Sequence, residues 1–502
     1  MERLFGIETE YGITLENEAH IDAVKQSIEL VKSYRQEDFR PVWDYRGEDP
    51  LRDERGFRAS SLSNHPDEKE EEKHDQKRNI KERLSFAEIK SDHILTNGAR
   101  LYNDHAHPEY STPECSSLFD LVAHDKAGER ILQRCAETRS QKLGKRDTGL
   151  PTAFFKNNID HFTGATFGCH ENFQISRDVP FYRVVIPTLM PFFVTRQIYA
   201  GAGRVDELGE QQYYQISQRS DHIVTEIYEW IQFSRAIINT RDEPLSDYTK
   251  YRRLHLLVGD SNMSEYATAL KVGTTALLLS AIEIFHEMHG FELADPVYAI
   301  RHISRDSTFT WRVELKSGKT ISAVDLQREY LNFVQALITE RDEETEWVLA
   351  AWESILDDLE DDWLNVIDRV DWAAKKWLLE AFIDEEKLDW EDPWIKSQDL
   401  EYHNIRTESG LYYALQEQGQ VQRVVTDEHI LHAVDNAPQD TRAKVRAFLM
   451  RTLTQNRMPC IVDWHQIYAG HTEYFEMKEP FDTNITKAQR WMKRLRKRPA
   501  RT

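Results

Sequence analysis

The chain has 502 residues, a net charge of −22, 40% hydrophobic and 11% aromatic residues. One hydrophobic core stops growing at roughly 250–300 residues, so a large globular domain with a smaller companion is expected. So acidic a chain is excluded as a general nucleic-acid binder, which needs basic side chains on phosphates, and nothing in its charge favours an anionic membrane surface.

The first expected element is a strand over Leu4–Gly12, with Ile7, Thr9 and Tyr11 on one face and Glu8 and Glu10 on the other. Two carboxylates side by side repel unless a cation or a shared proton lies between them. Hard oxygen ligands of this kind suit Mg²⁺, usually held by a few carboxylates together with substrate phosphates. Apolar spacing at Ile21, Val24, Ile28 and Val31 predicts a helix reaching Tyr34. From 41 to about 90 the composition turns to charge and turn residues. Trp43-Asp-Tyr-Arg-Gly-Glu-Asp-Pro-Leu-Arg-Asp-Glu-Arg-Gly-Phe57 comes first, then an almost wholly polar run from Asp67 to Arg83. This reads as a long loop, flexible in its second half. A substrate-gating lid and an inert insertion fit that composition equally well.

Asn97–Tyr110 is the most informative stretch. As a strand it sets Arg100, Tyr102 and Asp104 on one face, with Glu109 just beyond Pro108. A guanidinium, a phenol and a carboxylate make a poor core but a good wall for a phosphate-bearing ligand. A salt-bridged surface strand would look the same in isolation. Companion strands decide for the ligand wall: Glu8 and Glu10 on the first, His170 with Asn172 on another, Arg253 with His255 on a fourth. Together they predict an antiparallel sheet with a polar, ligand-lined face.

Helices are expected over Leu118–Arg139, Val179–Ala200, Asp221–Ser234 and Met263–Gly290. The tryptophans between 341 and 395 recur at helical spacing among acidic residues, which reads as packed amphipathic helices. Thr426 caps a further helix leading to a small α/β region around Cys460-Ile-Val-Asp-Trp464. The expected division is therefore 1–425 and 426–502, with 41–90 an insertion. The basic tail from Lys487 to Arg501 is a solvated helix end or a contact for an acidic partner. Cys115, Cys135, Cys169 and Cys460 lie in no metal-ligand spacing and fit buried thiols in a reducing cytoplasm. No signal peptide precedes the first strand, and no run of about 18 apolar residues is seen that could span a bilayer.

Ordered blocks carry a family likeness: Gly6-Ile-Glu-Thr-Glu-Tyr-Gly12, Asn97-Gly-Ala-Arg-Leu-Tyr102, His107-Pro-Glu-Tyr110, His170-Glu-Asn172, Ile238-Asn-Thr-Arg-Asp-Glu-Pro244, Tyr251-Arg-Arg-Leu-His255 and Val462-Asp-Trp464. In this order they resemble the family of Pup ligases and Pup deamidase/depupylases, relatives of glutamine synthetases and carboxylate–amine ligases. The resemblance implies an α+β fold: a glutamine synthetase-like antiparallel β-sheet cradle packed with helices, plus a small C-terminal α/β domain contributing to the nucleotide site. It implies ATP (or ADP plus phosphate) and Mg²⁺ as cofactors. Glu8, Tyr102 and Glu109 would bind the metal, with Glu10 a further ligand and His170 and His255 on the metal and phosphate side. Arg100, Thr112, Arg253 and Trp464 would contact nucleotide, and Arg241 a phosphate or a Pup carboxylate. Asp104 would do the chemistry, as base or as nucleophile. The implied partners are Pup (the small prokaryotic ubiquitin-like modifier) or a Pup-like protein, and pupylated proteins, with a link to a bacterial proteasome.

Within the family, the Trp43–Phe57 segment resembles the loop that distinguishes depupylases and is missing from ligases. Asp104-His-Ala-His107 also has the depupylase spacing, ligases typically having one residue more. Gly6-Ile-Glu-Thr-Glu and Gly168-Cys-His-Glu-Asn172 stand closer to the ligases, and the 67–83 run matches neither branch. The reading is a divergent depupylase, hydrolysing the Pup–lysine isopeptide bond and deamidating Pup's C-terminal glutamine. A Pup–protein ligase is the alternative enzyme. A catalytically silent Pup-binding scaffold is the other, disfavoured because Glu8, Tyr102, Asp104 and Glu109 are all present.

Overall fold

The computed structural model describes residues 3–15, 21–34, 41–59, 85–144, 152–161, 164–205, 214–229, 235–286, 288, 290–469 and 473–497. Its strands, in chain order, are β1 (Phe5–Glu10), β2 (Val42–Trp43), β3 (His93–Ile94), β4 (Arg100–Asp104), β5 (His107–Ser111), β6 (Cys169–Ser176), β7 (Thr225–Tyr228), β8 (Ala236–Asn239), β9 (Tyr251–Leu256), β10 (Cys460–Val462), β11 (Gln466–Ala469) and β12 (Glu473–Glu476), separate two-stranded sheets aside. Eight of them form the main sheet in the order β7-β8-β9-β6-β1-β5-β4-β3. All its pairings are antiparallel except β7 with β8.

Side-chain alternation decides which way the sheet faces. Along β1, Phe5, Ile7 and Thr9 are buried while Gly6, Glu8 and Glu10 are half-buried, and β6 repeats the pattern over eight residues. The apolar face packs on the helices Leu118–Gly144, Ile186–Ala200 and Glu265–Ile284, which share one hydrophobic core with it. The last of these, capped by Ser264 Oγ accepting from Ala267 N at 3.1 Å, is buried all round. It corrects the expectation that no bilayer-length apolar run exists: by length and composition this helix qualifies, but 83% of its apolar window is buried inside the protein. The tryptophan-rich region forms helices Glu343–Asp361, Asp371–Glu386 and Pro393–Glu401, with Trp352 and Trp372 fully enclosed.

Two further expectations are corrected. Asp221–Ser234 does not form a helix where it is described. A 3₁₀ turn at Ser220–His222 leads into β7, because Ile223-Val-Thr-Glu-Ile-Tyr228 is rich in β-branched residues that favour extended backbone. Where it is described, at 41–59 and 85–90, the expected 41–90 loop is also more ordered than its composition suggests. Trp43, 4% exposed, enters a second core with Val445, Leu449, Val462 and Trp491. Its strand β2 pairs in parallel with β10, so an N-terminal segment completes the small C-terminal sheet β12-β11-β10-β2. A short helix, Phe86–Lys90, closes the stretch. The charged 67–83 run lies outside the described residues. Thr426 caps helix Asp427–Asp435 as expected, although Ile430, Ala433 and Val434 of that helix pack into the main core.

Candidate active site

Register alone assembles the polar cluster. Across β4, β5 and β1, Tyr102 lies opposite Glu109 and Glu109 opposite Glu10. Across the same strands and β6, Arg100 pairs with Ser111, Ser111 with Glu8, and Glu8 with His170. One step further, Gly6 lies opposite Asn172 and Asn172 opposite His255 on β9. Residues paired in register point to the same side of a sheet, so these rows share the face opposite the apolar core. Asp104 ends β4 on that face, and Arg253 lies on β9 two residues before His255.

Within the cluster, Tyr102 Oη donates to Glu109 Oε1 at 2.6 Å. His170 Nδ1 lies 3.3 Å from Glu8 Oε2, and His107 Nδ1 lies 3.3 Å from Glu10 Oε2. Lys90 forms an ion pair with Asp104. Arg253 donates to Asn172 Oδ1 and to Glu243 Oε2, each at 3.2 Å. Close approach explains Gly168: a Cβ there would stand 2.6 Å from both Glu10 Oε1 and His170 Nε2.

The electrostatics separate the carboxylates. Burial pushes Glu109 up, reinforced by the charges of Asp104, Glu8 and Glu10, so its carboxyl holds a proton well above the usual range. Burial would raise Asp104 too, but the Lys90 and His105 charges outweigh it and keep Asp104 ionised. The His170 hydrogen bond, with Arg253 and Arg100, likewise holds Glu8 below its ordinary value against burial. Burial, helped by the Arg253, His170 and Arg241 charges, keeps His255 neutral.

Among the described residues, two groups have metal-ligand spacing, each with its donor atoms within 4.8 Å of one another: Glu8, His170 and His255, and Glu10, Asp104 and Glu109. Their chemistry fits a divalent cation. The second set is all oxygen, as a hard ion such as Mg²⁺ requires. In the first, both ring nitrogens of buried His255 lack a hydrogen-bond partner.

Beside the cluster opens a pocket lined by Gly6, Thr112, Asn172, Arg253, Arg442 and Trp464, among others. Thr112 Oγ1 accepts from Ile7 N at 3.1 Å, which fastens the pocket wall to β1. Trp464 comes from the small C-terminal part, with the Arg446 guanidinium 4.8 Å from its ring centre and Trp43 edge-on at 5.3 Å. Arg100 sits nearby, bound to Asp92 at 2.6 Å and held 4.1 Å from the Trp43 ring and 3.9 Å from that of Tyr102. Arg241 is half-buried, its charge close enough to bear on Glu8 and Asp104.

All twelve expected site residues therefore lie in or beside one cluster. Sequence reasoning missed Lys90, Asp92, His107 and Glu243, and gave no role to Trp43 or Tyr45. His107 sat inside a quoted motif and could have been found. Lys90 follows a charged run and carried no signal.

The Trp43–Phe57 segment is fastened over this site. Tyr45 Oη donates to Asp92 Oδ2 at 2.8 Å, Asp49 N to Glu243 Oε1 at 2.6 Å, and Thr240 Oγ1 to Asp53 Oδ2 at 2.6 Å. Glu54 accepts from Arg252 Nε at 2.7 Å. Glu243, the partner of Arg253, thus also anchors the segment.

A sequence profile for Pup-ligase proteins matches residues 3–468. The chain belongs to the Pup-ligase family. It is 41% identical over 460 residues to the Pup deamidase/depupylase of Mycolicibacterium smegmatis, covering 90% of this chain and 88% of that one. With the Pup–protein ligase of Mycobacteroides abscessus the identity is 44% over 375 residues, 74% of this chain and 82% of the ligase. Two solved structures of the Pup ligase PafA are similar. The complex with Pup has a TM-score of 0.81 at 33% identity, covering 99% of this chain and 92% of that one. The complex with ADP has a TM-score of 0.75 at 36% identity, covering 88% and 96%.

Proposed function

We propose that this family member is a Pup deamidase/depupylase of the cytoplasm. It hydrolyses the C-terminal glutamine amide of Pup, or of a Pup-like modifier, and the isopeptide bond joining Pup to lysine. The observation that carries this reading is the Trp43–Phe57 segment, the stretch that resembles the depupylase loop, fastened to the residues of the site through Asp92, Glu243 and Thr240. Sequence coverage agrees with it: the depupylase of M. smegmatis aligns over 90% of this chain and the M. abscessus ligase over 74%.

In this reading Asp104 acts on the scissile carbonyl. An amide is a poor electrophile, so hydrolysis needs an activated water or a covalent nucleophile. A carboxylate kept ionised by Lys90 serves either way: it accepts a proton from the water that attacks, or it attacks the carbonyl itself, the C–N bond breaking as the amine takes a proton and leaves, to give an anhydride that water opens. Glu8, Glu10, Glu109, Tyr102, His170 and His255 would hold Mg²⁺. Arg100, Thr112, Arg253, Trp464 and Arg241 would hold ATP, or ADP and phosphate. When bound, the ion neutralises phosphate charge and the oxyanion that develops on the carbonyl. His107 fixes the Glu10 carboxylate, and His170 that of Glu8.

A second reading, a Pup–protein ligase consuming ATP, is favoured by the 44% identity to the M. abscessus enzyme and by both PafA likenesses. One experiment separates them. The protein is incubated with nucleotide and Mg²⁺, either with Pup ending in glutamine or with Pup ending in glutamate plus a target protein. Ammonia release and loss of preformed Pup–protein conjugates are expected. New conjugates formed with stoichiometric ATP use would overturn the hydrolase reading.

A further inference from the structure

Lys90 ends the Phe86–Lys90 helix, and its ammonium is paired with Asp104. Its backbone is held in place there. Asn103 Nδ2 on β4 donates to Ile89 O at 3.0 Å, Ser91 stops the helix in the left-handed region at φ 50°, and Asp92 is tied to Arg100. The same ammonium stands 5.5 Å from the centre of the Tyr102 ring. Lys90 and Asp104 are 19% and 20% exposed, so the pair sits at the mouth of the cluster and not in its floor.

A carboxylate beside an aromatic ring is how proteins recognise an alkylammonium. A lysine amine thus already occupies the carboxylate that the proposed chemistry uses. In that chemistry the nitrogen on the scissile bond is itself a lysine ε-nitrogen whenever the substrate is a conjugate. We propose that Lys90 is a specificity-determining residue, the resident occupant of the subsite that receives the target lysine's ε-nitrogen and alkyl chain. The inference rests on the reading that Asp104 faces the reacting bond. The ε-nitrogen of a conjugate reaches Asp104 only when Lys90 swings out to solvent. A glutamine amide has no alkyl chain to accommodate and needs less displacement. Lys90 therefore weighs against isopeptide substrates more than against the side-chain amide of a C-terminal glutamine.

The test compares wild type, Lys90→Ala and Lys90→Arg on two substrates: Pup ending in glutamine, and Pup joined through an isopeptide bond to a lysine-containing peptide. An ion pair of this exposure, competing as a resident occupant, predicts that Lys90→Ala lowers KM for the isopeptide about three- to tenfold more than KM for the amide. N-acetyl-lysine methylamide should inhibit Lys90→Ala at correspondingly lower concentration, and Lys90→Arg should keep the wild-type ratio of KM values. Equal loss of kcat on both substrates with KM unmoved would overturn the inference, leaving Lys90 only a positioning residue for Asp104. An unchanged KM ratio would overturn it as well. Should the protein ligate instead, the functional reading fails and the same KM comparison is made on the acceptor lysine peptide. Should it do neither, calorimetric binding of the lysine analogue decides alone, and equal affinity for wild type and Lys90→Ala would sink the proposal.

Discussion

Replacing Glu109 by glutamine should make the cation-free protein more stable and its response to Mg²⁺ weaker. Donor oxygens of Glu10, Asp104 and Glu109 lie within 4.8 Å of one another. Two unit charges at that separation repel by about 3.5 kcal/mol at an effective dielectric of about 20. Glu109 is 1% exposed, so little solvent relieves the repulsion, and the protein meets it by keeping a proton on that carboxyl. The sign follows from linkage. A carboxyl raised in the folded state binds more protons there than in the unfolded chain, so stability falls as pH climbs above the ordinary carboxylate value. Glutamine removes that slope and still offers Tyr102 Oη an acceptor. The expected gain at neutral pH in chelator is of order 1–3 kcal/mol. Wild type should recover on adding Mg²⁺, since a ligand at a hundredfold over its Kd stabilises by about 2.7 kcal/mol. Denaturant unfolding between pH 6 and 9, with EDTA or with Mg²⁺, measures both effects. A Glu109→Gln protein less stable than wild type in EDTA, or gaining as much from Mg²⁺, would refute the reasoning.

Asp104→Asn should reduce ammonia release by about 10²–10⁴-fold, the range of a lost base or nucleophile, while nucleotide titration shows unchanged affinity. Normal turnover would remove Asp104 from the mechanism. Trp464→Ala should weaken nucleotide binding about tenfold through loss of one aromatic wall, as read by calorimetry; unchanged affinity would place the nucleotide elsewhere. Burial and the neighbouring Asp242 push Glu54 up to about 7. Its folded form therefore favours the proton, and attachment of the Trp43–Phe57 segment should loosen as pH rises from about 5 to 8. Hydrogen exchange of that segment should show this slope in wild type and not in Glu54→Gln, and equal slopes would disprove it.

Strand alternation makes the face of the site legible in the sequence, because Glu8 and Glu10, Arg100 with Tyr102 and Asp104, and His170 with Asn172 each recur at period two. Periodicity carries no partner information, so the pairing of Glu10 with Glu109, or of Asn172 with His255, could not be read from it. The apolar period around Thr225–Tyr228 predicts a helix, but the β-branched residues there favour the extended backbone that forms β7. The parallel pairing of Val42–Trp43 with Ile461–Val462 is a contact between the two ends of the chain, invisible to any local pattern. Composition rightly marked the Trp43–Phe57 segment as rich in turns and charge. It missed that Asp53 and Glu54 are paired with Arg55, Thr240 and Arg252 rather than left to solvent.

Why a protein places three carboxylates together on a sheet, and not on a loop, follows from the same register. A strand that slips by one residue turns every side chain over, and here that would drive Phe5, Ile7, Phe173 and Ile175 out of the core and Glu8 and Glu10 into it. Burial of the apolar face thus fixes the polar face against its own repulsion. A loop has no such opposing face, and the same charges would simply move apart until solvent screened them. The carboxyl cluster is therefore crowded by position, and the core beneath it supplies the restraint.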